Sequence, residues 1–93
     1  MPLTSSTSSL PEQDISHAQD LGSLVRLARK KAGIPIDQAA LLVGVSKQFM
    51  SDLEAGKPTL QFDKAVMVAR KFGIELIGRP RGLSALESTE RTE

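Results

Sequence analysis

Ninety-three residues suffice for one small domain, and with 40 % hydrophobic residues but only three aromatics, all Phe, its core must be aliphatic. The absence of cysteine and the presence of a single histidine exclude a disulfide framework, a thiolate metal site and a multi-histidine metal site. The formal net charge of +1 hides a segregation into −3 over residues 1–20, +5 over residues 21–73, where nine bases meet four acids, and −1 over residues 74–93. The central stretch is thus basic, which suits a polyanion partner, although solvated lysines on helix exteriors give similar counts.

No apolar run approaches the ~20 residues of a membrane span. Met1 to Ser9 lacks the basic start and apolar run of a signal peptide, so the expected location is the cytoplasm. Residues 1–15, rich in Ser and Thr and broken by Pro11, read as a disordered tail. Ser16 with Gln19 three residues on has the form of a capping box, which starts a first helix at His17 or Ala18. Leu21, Leu24, Val25, Ala28 and Ala32 then recur at amphipathic spacing, and Gly33 closes the helix behind Lys30 and Lys31, cations suited to its C-terminal dipole.

Pro35 is tolerated at a helix start, where its missing N–H has no partner anyway, and a second helix runs from about Ile36 to Val43 with Ile36, Ala39, Ala40 and Val43 turned inward. Gly44 supplies the left-handed residue that ends it, and Ser46 caps a third helix that stops near Ala55. After the loop Lys57-Pro58-Thr59, a fourth helix presents Phe62, Ala65, Val66, Ala69 and Phe72 and is closed by Gly73. Ile74-Glu75-Leu76-Ile77 is β-prone but only four residues long, and a lone strand cannot stand in water. It either extends across the helices or pairs with the same strand of a second copy. Residues 79–93 are polar and charged, with isolated Leu83 and Leu86, and read as a flexible tail.

The organising stretch is Ala32 to Gly56, two short helices joined by a tight turn at Val43-Gly44-Val45-Ser46. Such a pair is how DNA readers present one helix to a groove. In the second of the two, Lys47, Gln48, Ser51 and Ala55 fall within about one third of the circumference, with Met50, Leu53 and Phe49 on the other side. Ser46 is placed to meet a phosphate with its hydroxyl and the free N–H groups of the helix start. Gln48 can pair bidentately with adenine and Lys47 can donate to guanine; Ser51 is short enough to let the helix approach, and Lys57 sits where a phosphate passes. The bland reading of these residues is a solvated face and a helix cap. Arg29 and Glu54 border the apolar stripes of different helices and are candidates for a bridge locking helix 1 to helix 3, the alternative being two unrelated surface charges. Leu41 and Leu42 fall beside or opposite the inward stripe of helix 2. They mark either a protein contact or a helix buried on more sides.

The segments LVRLARKKAG, QAALLVGVSKQFMSDLEAGKPT and VARKFGIELI resemble the Xre, or phage Cro and repressor, family of helix-turn-helix proteins, and within it the HipB-type antitoxins. The resemblance covers Leu21 to Leu76. It implies an all-α, lambda-repressor-like domain of four to five helices over residues 16–78, with a short C-terminal strand at Ile74, Glu75, Leu76 and Ile77 that pairs across a homodimer. It also implies that Arg29 and Glu54 are the family's structural ion pair. By the same resemblance the protein binds an inverted-repeat double-stranded DNA operator as a repressor and neutralises a HipA-like kinase toxin, with no cofactor and no membrane partner. Two positions depart from the family: Ile36 stands where a polar residue often touches phosphate, and Asp52, close to the DNA-facing side, is expected to point aside or pair with a base-contacting cation. The alternatives are a stand-alone phage-type regulator, or a protein-interaction module that keeps the fold and uses Leu41, Leu42 and the tails. With no Cys, only His17 as an imidazole and no glycine-rich phosphate loop, no enzyme is expected.

Overall fold

The computed structural model describes residues 10–82, so the expectations for residues 1–9 and 83–93, Leu83 and Leu86 among them, lie outside the described part. Four helices occupy it: α1 (Ala18–Lys31), α2 (Ile36–Val43), α3 (Lys47–Ala55) and α4 (Phe62–Lys71). Their inner faces meet in a single cluster in which Phe72, Met50, Val25 and Val68 are the largest fully buried side chains. Alanines fill the closest approaches: Ala28, Ala39, Ala40, Ala65 and Ala69 are all buried. Small side chains let short helices come near enough to exclude water, and the burial of their aliphatic neighbours is the main term holding the domain together.

The start of α1 differs from the expected capping box. His17, not Ser16, is the residue flanking the helix, and Asp20, not Gln19, reaches back. One Asp20 carboxylate oxygen accepts from the backbone N–H groups of Ser16 (2.9 Å) and His17 (3.0 Å). A carboxylate satisfies these two donors better than an amide because it also answers the positive end of the helix. The two N–H groups, and then the neighbouring His17 ring, hold the Asp20 carboxyl below its ordinary pKa.

Gly22 sits inside α1, where a glycine ordinarily weakens a helix. Its position explains it: a Cβ there would lie 2.1 Å from the carbonyl oxygen of Leu53 in α3. The glycine is therefore the point at which α1 and α3 touch backbone to backbone. Between α2 and α3, Gly44 takes a left-handed conformation (φ 82°), and its N–H and that of Val45 both donate to the Ala40 carbonyl. Two residues suffice to turn the chain, because Ser46 then caps α3 by accepting from the Phe49 N–H at 2.9 Å.

Two expectations for the C-terminal half are corrected. The buried stripe of α4 is Ala65, Val68, Ala69 and Phe72, so the helix is rotated from the face read in the sequence: Phe62 is 70 % exposed and Val66 is only half-buried. Val68 lies between Ala65 and Phe72 on one face and displaces Val66 from it. No strand is present among the described residues, and Ile74 to Ile77 run without regular structure. The reason begins at Ile74. Its N–H donates to the Ala69 carbonyl at 2.9 Å, just after Gly73 bonds Arg70, and its side chain is buried in the core. This is the closing motif of a helix with its usual apolar contact, so the first residue of the expected strand serves to end α4. At the other end of the described part, Leu10 rests half-buried against the core, although residues 1–15 were expected to form a tail.

Candidate nucleic-acid interface

α3 carries two polar groupings in opposite situations. On its inner side, Glu54 receives the Arg29 guanidinium from α1 in a two-pronged pair, Nε to Oε2 at 2.6 Å and Nη2 to Oε1 at 2.9 Å. Both side chains are at most one-tenth exposed. The third arm of the fork, Nη1, donates to the Ile34 carbonyl in the loop before α2. One side chain thus joins α1, the α1–α2 loop and α3, which fixes the attitude of α3 relative to the rest. Hydrogen bonding to Glu54 raises the Arg29 pKa above its already high value, outweighing burial, so the clamp's guanidinium stays charged.

On the outer side, Ser46, Lys47, Gln48, Ser51 and Ala55 are all exposed, while Met50 and Leu53 on the opposite face are buried. The face read in the sequence is therefore presented intact. It is small and polar along its length, with a cation (Lys47) and an amide (Gln48) at its N-terminal end. The Ser46 hydroxyl oxygen is committed to the Phe49 N–H, but its own hydrogen remains available to a phosphate oxygen. Lys57 follows Gly56 and turns back, its N–H donating to the Asp52 carbonyl.

Asp52 occupies the middle of this group. One of its oxygens accepts from Gln48 Nε2 at 2.9 Å and the other lies 3.6 Å from Lys57 Nζ. Its charge is answered from within the domain. The bond to Gln48 also sets that amide's orientation. One N–H goes to Asp52, leaving the carbonyl oxygen and the second N–H, the two groups that pair with adenine N6 and N7. Sequence reading treated Asp52 as a departure and missed this positioning contact; its signal was the i, i+4 spacing of Gln48 and Asp52. Also missed was Lys64, whose ammonium sits 5.3 Å from the Phe49 ring centroid and adds a cation at the edge of α3.

Other predicted residues are not part of this face. Ile74, Glu75, Leu76 and Ile77 belong to the segment after α4. Ile36, at the start of α2, is half-buried against the core. Leu41 and Leu42 are 82 % and 61 % exposed, so α2 is not buried on more sides. Among the described residues no group of three or more His, Asp or Glu converges as a metal would require, and no helix is long and apolar enough to cross a membrane.

Comparison with known proteins bears on the same stretch. Residues 25–78, more than half of the chain, match the family described as Helix-turn-helix. A relative from Sinorhizobium fredii, the uncharacterized HTH-type transcriptional regulator y4mF, is 42 % identical over 57 residues, covering 61 % of this chain and 75 % of the relative. The HTH-type transcriptional regulator SlrR of Bacillus subtilis is 43 % identical over 49 residues, half of this chain, which spans only about a third (32 %) of SlrR. The chain therefore belongs to the Xre-like helix-turn-helix family, and α2 and α3 lie within its matched region.

Proposed function

We propose that this protein is a DNA-binding transcriptional regulator in which α3 enters the major groove, and more narrowly that it is the repressor and antitoxin of a toxin–antitoxin operon. The observation that carries the DNA-binding reading is the exposed face of Ser46, Lys47, Gln48 and Ser51, held at a fixed attitude by the buried Arg29–Glu54 pair. Lys47 and Gln48 read base edges, Ser46 and Lys57 meet phosphates, and Asp52 orients Gln48. Family membership and two relatives whose names describe transcriptional regulators support the same reading. The operator is an inverted repeat read by two copies in successive grooves, since one face this short contacts too few base pairs for specificity. The antitoxin role, with a HipA-like kinase as the neutralised partner in the cytoplasm, rests on the resemblance of the GKPT and GIEL segments to HipB-type proteins. The protein performs no chemical step itself.

The test is a mobility-shift titration of the full chain on DNA from upstream of its own gene, run beside a co-purification with the product of the adjacent gene. Binding that discriminates against unrelated duplex supports the regulator reading, and a kinase-like neighbour held in a stable complex supports the antitoxin. Leu41, far out in solvent on α2, favours a second reading in which the fold serves protein contact alone. Tight binding of the neighbour with no DNA shift would decide for it.

A further inference from the structure

α4 has an apolar face and a half-apolar one. The first, Ala65, Val68, Ala69 and Phe72, is the core stripe; the second lies on the opposite side and consists of Asp63, Val66, Met67 and Arg70, at i, i+3, i+4 and i+7. This second face forms one wall of a groove of about 650 Å³ whose other wall is Leu42 and Val43 of α2, with Lys71 on its rim. Val66 and Met67 are half-buried along it, Leu42 on its other wall is 61 % exposed, and Phe62, at the start of α4, is 70 % exposed. Such a half-apolar groove beside exposed Leu42 is a surface on which a partner could dock.

The order of residues along α4 names the cover. Val66 and Met67 flank the midpoint of the helix, and about that midpoint Asp63 is the counterpart of Arg70 and Phe62 the counterpart of Lys71. If a second α4 lies antiparallel across the first with a two-fold axis at this midpoint, each Asp63 faces the other copy's Arg70. Val66 then meets Met67, and each Lys71 stem lies along the other copy's Phe62 ring. At ~1.5 Å rise per residue the acid and base stand ~10.5 Å apart on one helix, so the pairs form only between copies in this antiparallel register. An isologous contact makes every such pair twice, and no residue of α3 lines the groove. We infer that the groove between α2 and α4 is the surface on which two copies of this chain associate, sealed by reciprocal Asp63–Arg70 pairs. This inference rests on the homodimer assumed for the operator and supplies its interface in place of the strand at Ile74 to Ile77.

The test is sedimentation equilibrium of the full chain and four variants: Met67→Glu, Asp63→Arg, Arg70→Asp, and the double exchange Asp63→Arg with Arg70→Asp. Circular dichroism checks that each variant retains its helices; Met67 packs against the core, so the reversals at exposed Asp63 and Arg70 carry the test should Met67→Glu fail to fold. The wild type is expected at twice the 10.0 kDa chain mass. Met67→Glu and either single reversal should weaken the dimer at least about ten-fold by burying an unpaired charge or opposing like charges, and the double exchange should return it to within about three-fold. A wild-type dimer indifferent to the single reversals would overturn the interface and leave the homodimer standing. A wild type that stays monomeric, alone and on operator DNA, would overturn both.

Discussion

The two sides of α3 use similar chemistry for opposite ends. Arg29 and Glu54 on the inner side are at most one-tenth exposed and locked by two charge-assisted bonds, with a third bond to a loop carbonyl. Asp52, Gln48 and Lys57 on the outer side also form an acid, an amide and a cation in contact, but Gln48 is exposed and the Lys57 side chain is more than half exposed. Burial is what separates them. In a dry site a charge without its partner is intolerable, so the inner pair is a structural lock. In water the same kind of contact contributes little to stability, so the outer group is not needed to hold the fold.

The largest effect that would test this contrast is on the inner side. Glu54→Ala should cost about 3–5 kcal/mol of unfolding free energy, measured by urea titration, because it strands the Arg29 guanidinium. Replacing both residues by apolar ones of similar size should recover much of that loss; a double variant as unstable as the single would show that the fold needs the charges themselves. Ser46→Ala should come next. Removing the cap of α3 should lower stability by about 1 kcal/mol, and in the proposed function it should also weaken DNA binding by taking away a phosphate contact. On the outer side, Asp52→Ala should leave the urea midpoint within about 0.5 kcal/mol of wild type. In a binding titration it should raise affinity for unrelated duplex, since Lys57 is released and a negative charge removed, while discrimination falls because Gln48 loses its orientation. A large stability loss for Asp52→Ala would erase the distinction between the two sides.

The smallest effect expected is at the start of α1. The Asp20 carboxyl is held below its ordinary range by the Ser16 and His17 N–H groups, so its contribution is present above its unfolded-state pKa and disappears as the pH falls through the lowered folded value. The window therefore opens at the ordinary carboxyl value of 3.8 and extends below it. An Asp20→Asn variant should lose stability relative to wild type at neutral pH and converge on it in that acid window, as followed by thermal melts.

Much of this was legible in the sequence where local chemistry decides. The four helices fall close to the expected bounds because glycines, an amphipathic period and a serine cap each act over a few residues. The outer face of α3 was likewise readable, since one turn of helix determines which side chains share it. What escaped depended on contacts across the fold. Gly22 is unremarkable in sequence and becomes intelligible only against the Leu53 carbonyl. The rotation of α4 follows from how Val68 packs, and the β-prone run at Ile74 to Ile77 was overridden because Ile74 is drawn into the core to close α4. The choice of Asp20 over Gln19 as the capping partner is a contest between neighbours that differ by charge and one position. Sequence pattern leaves such contests open.

In the proposed function the outer face of α3 reads a particular DNA sequence. The most direct measurement is the affinity of the full chain, as a function of salt, for duplex from upstream of its own gene and for a scrambled duplex of the same length, with Lys47→Ala, Gln48→Ala and Lys64→Ala run alongside. The account predicts a linear fall of log affinity with log salt for both duplexes and a marked preference for the first. Lys47→Ala and Gln48→Ala should each remove about 1–3 kcal/mol of that preference, and Lys64→Ala should weaken both duplexes alike. Equal affinity for the two duplexes, or a preference untouched by Lys47→Ala and Gln48→Ala, would contradict it.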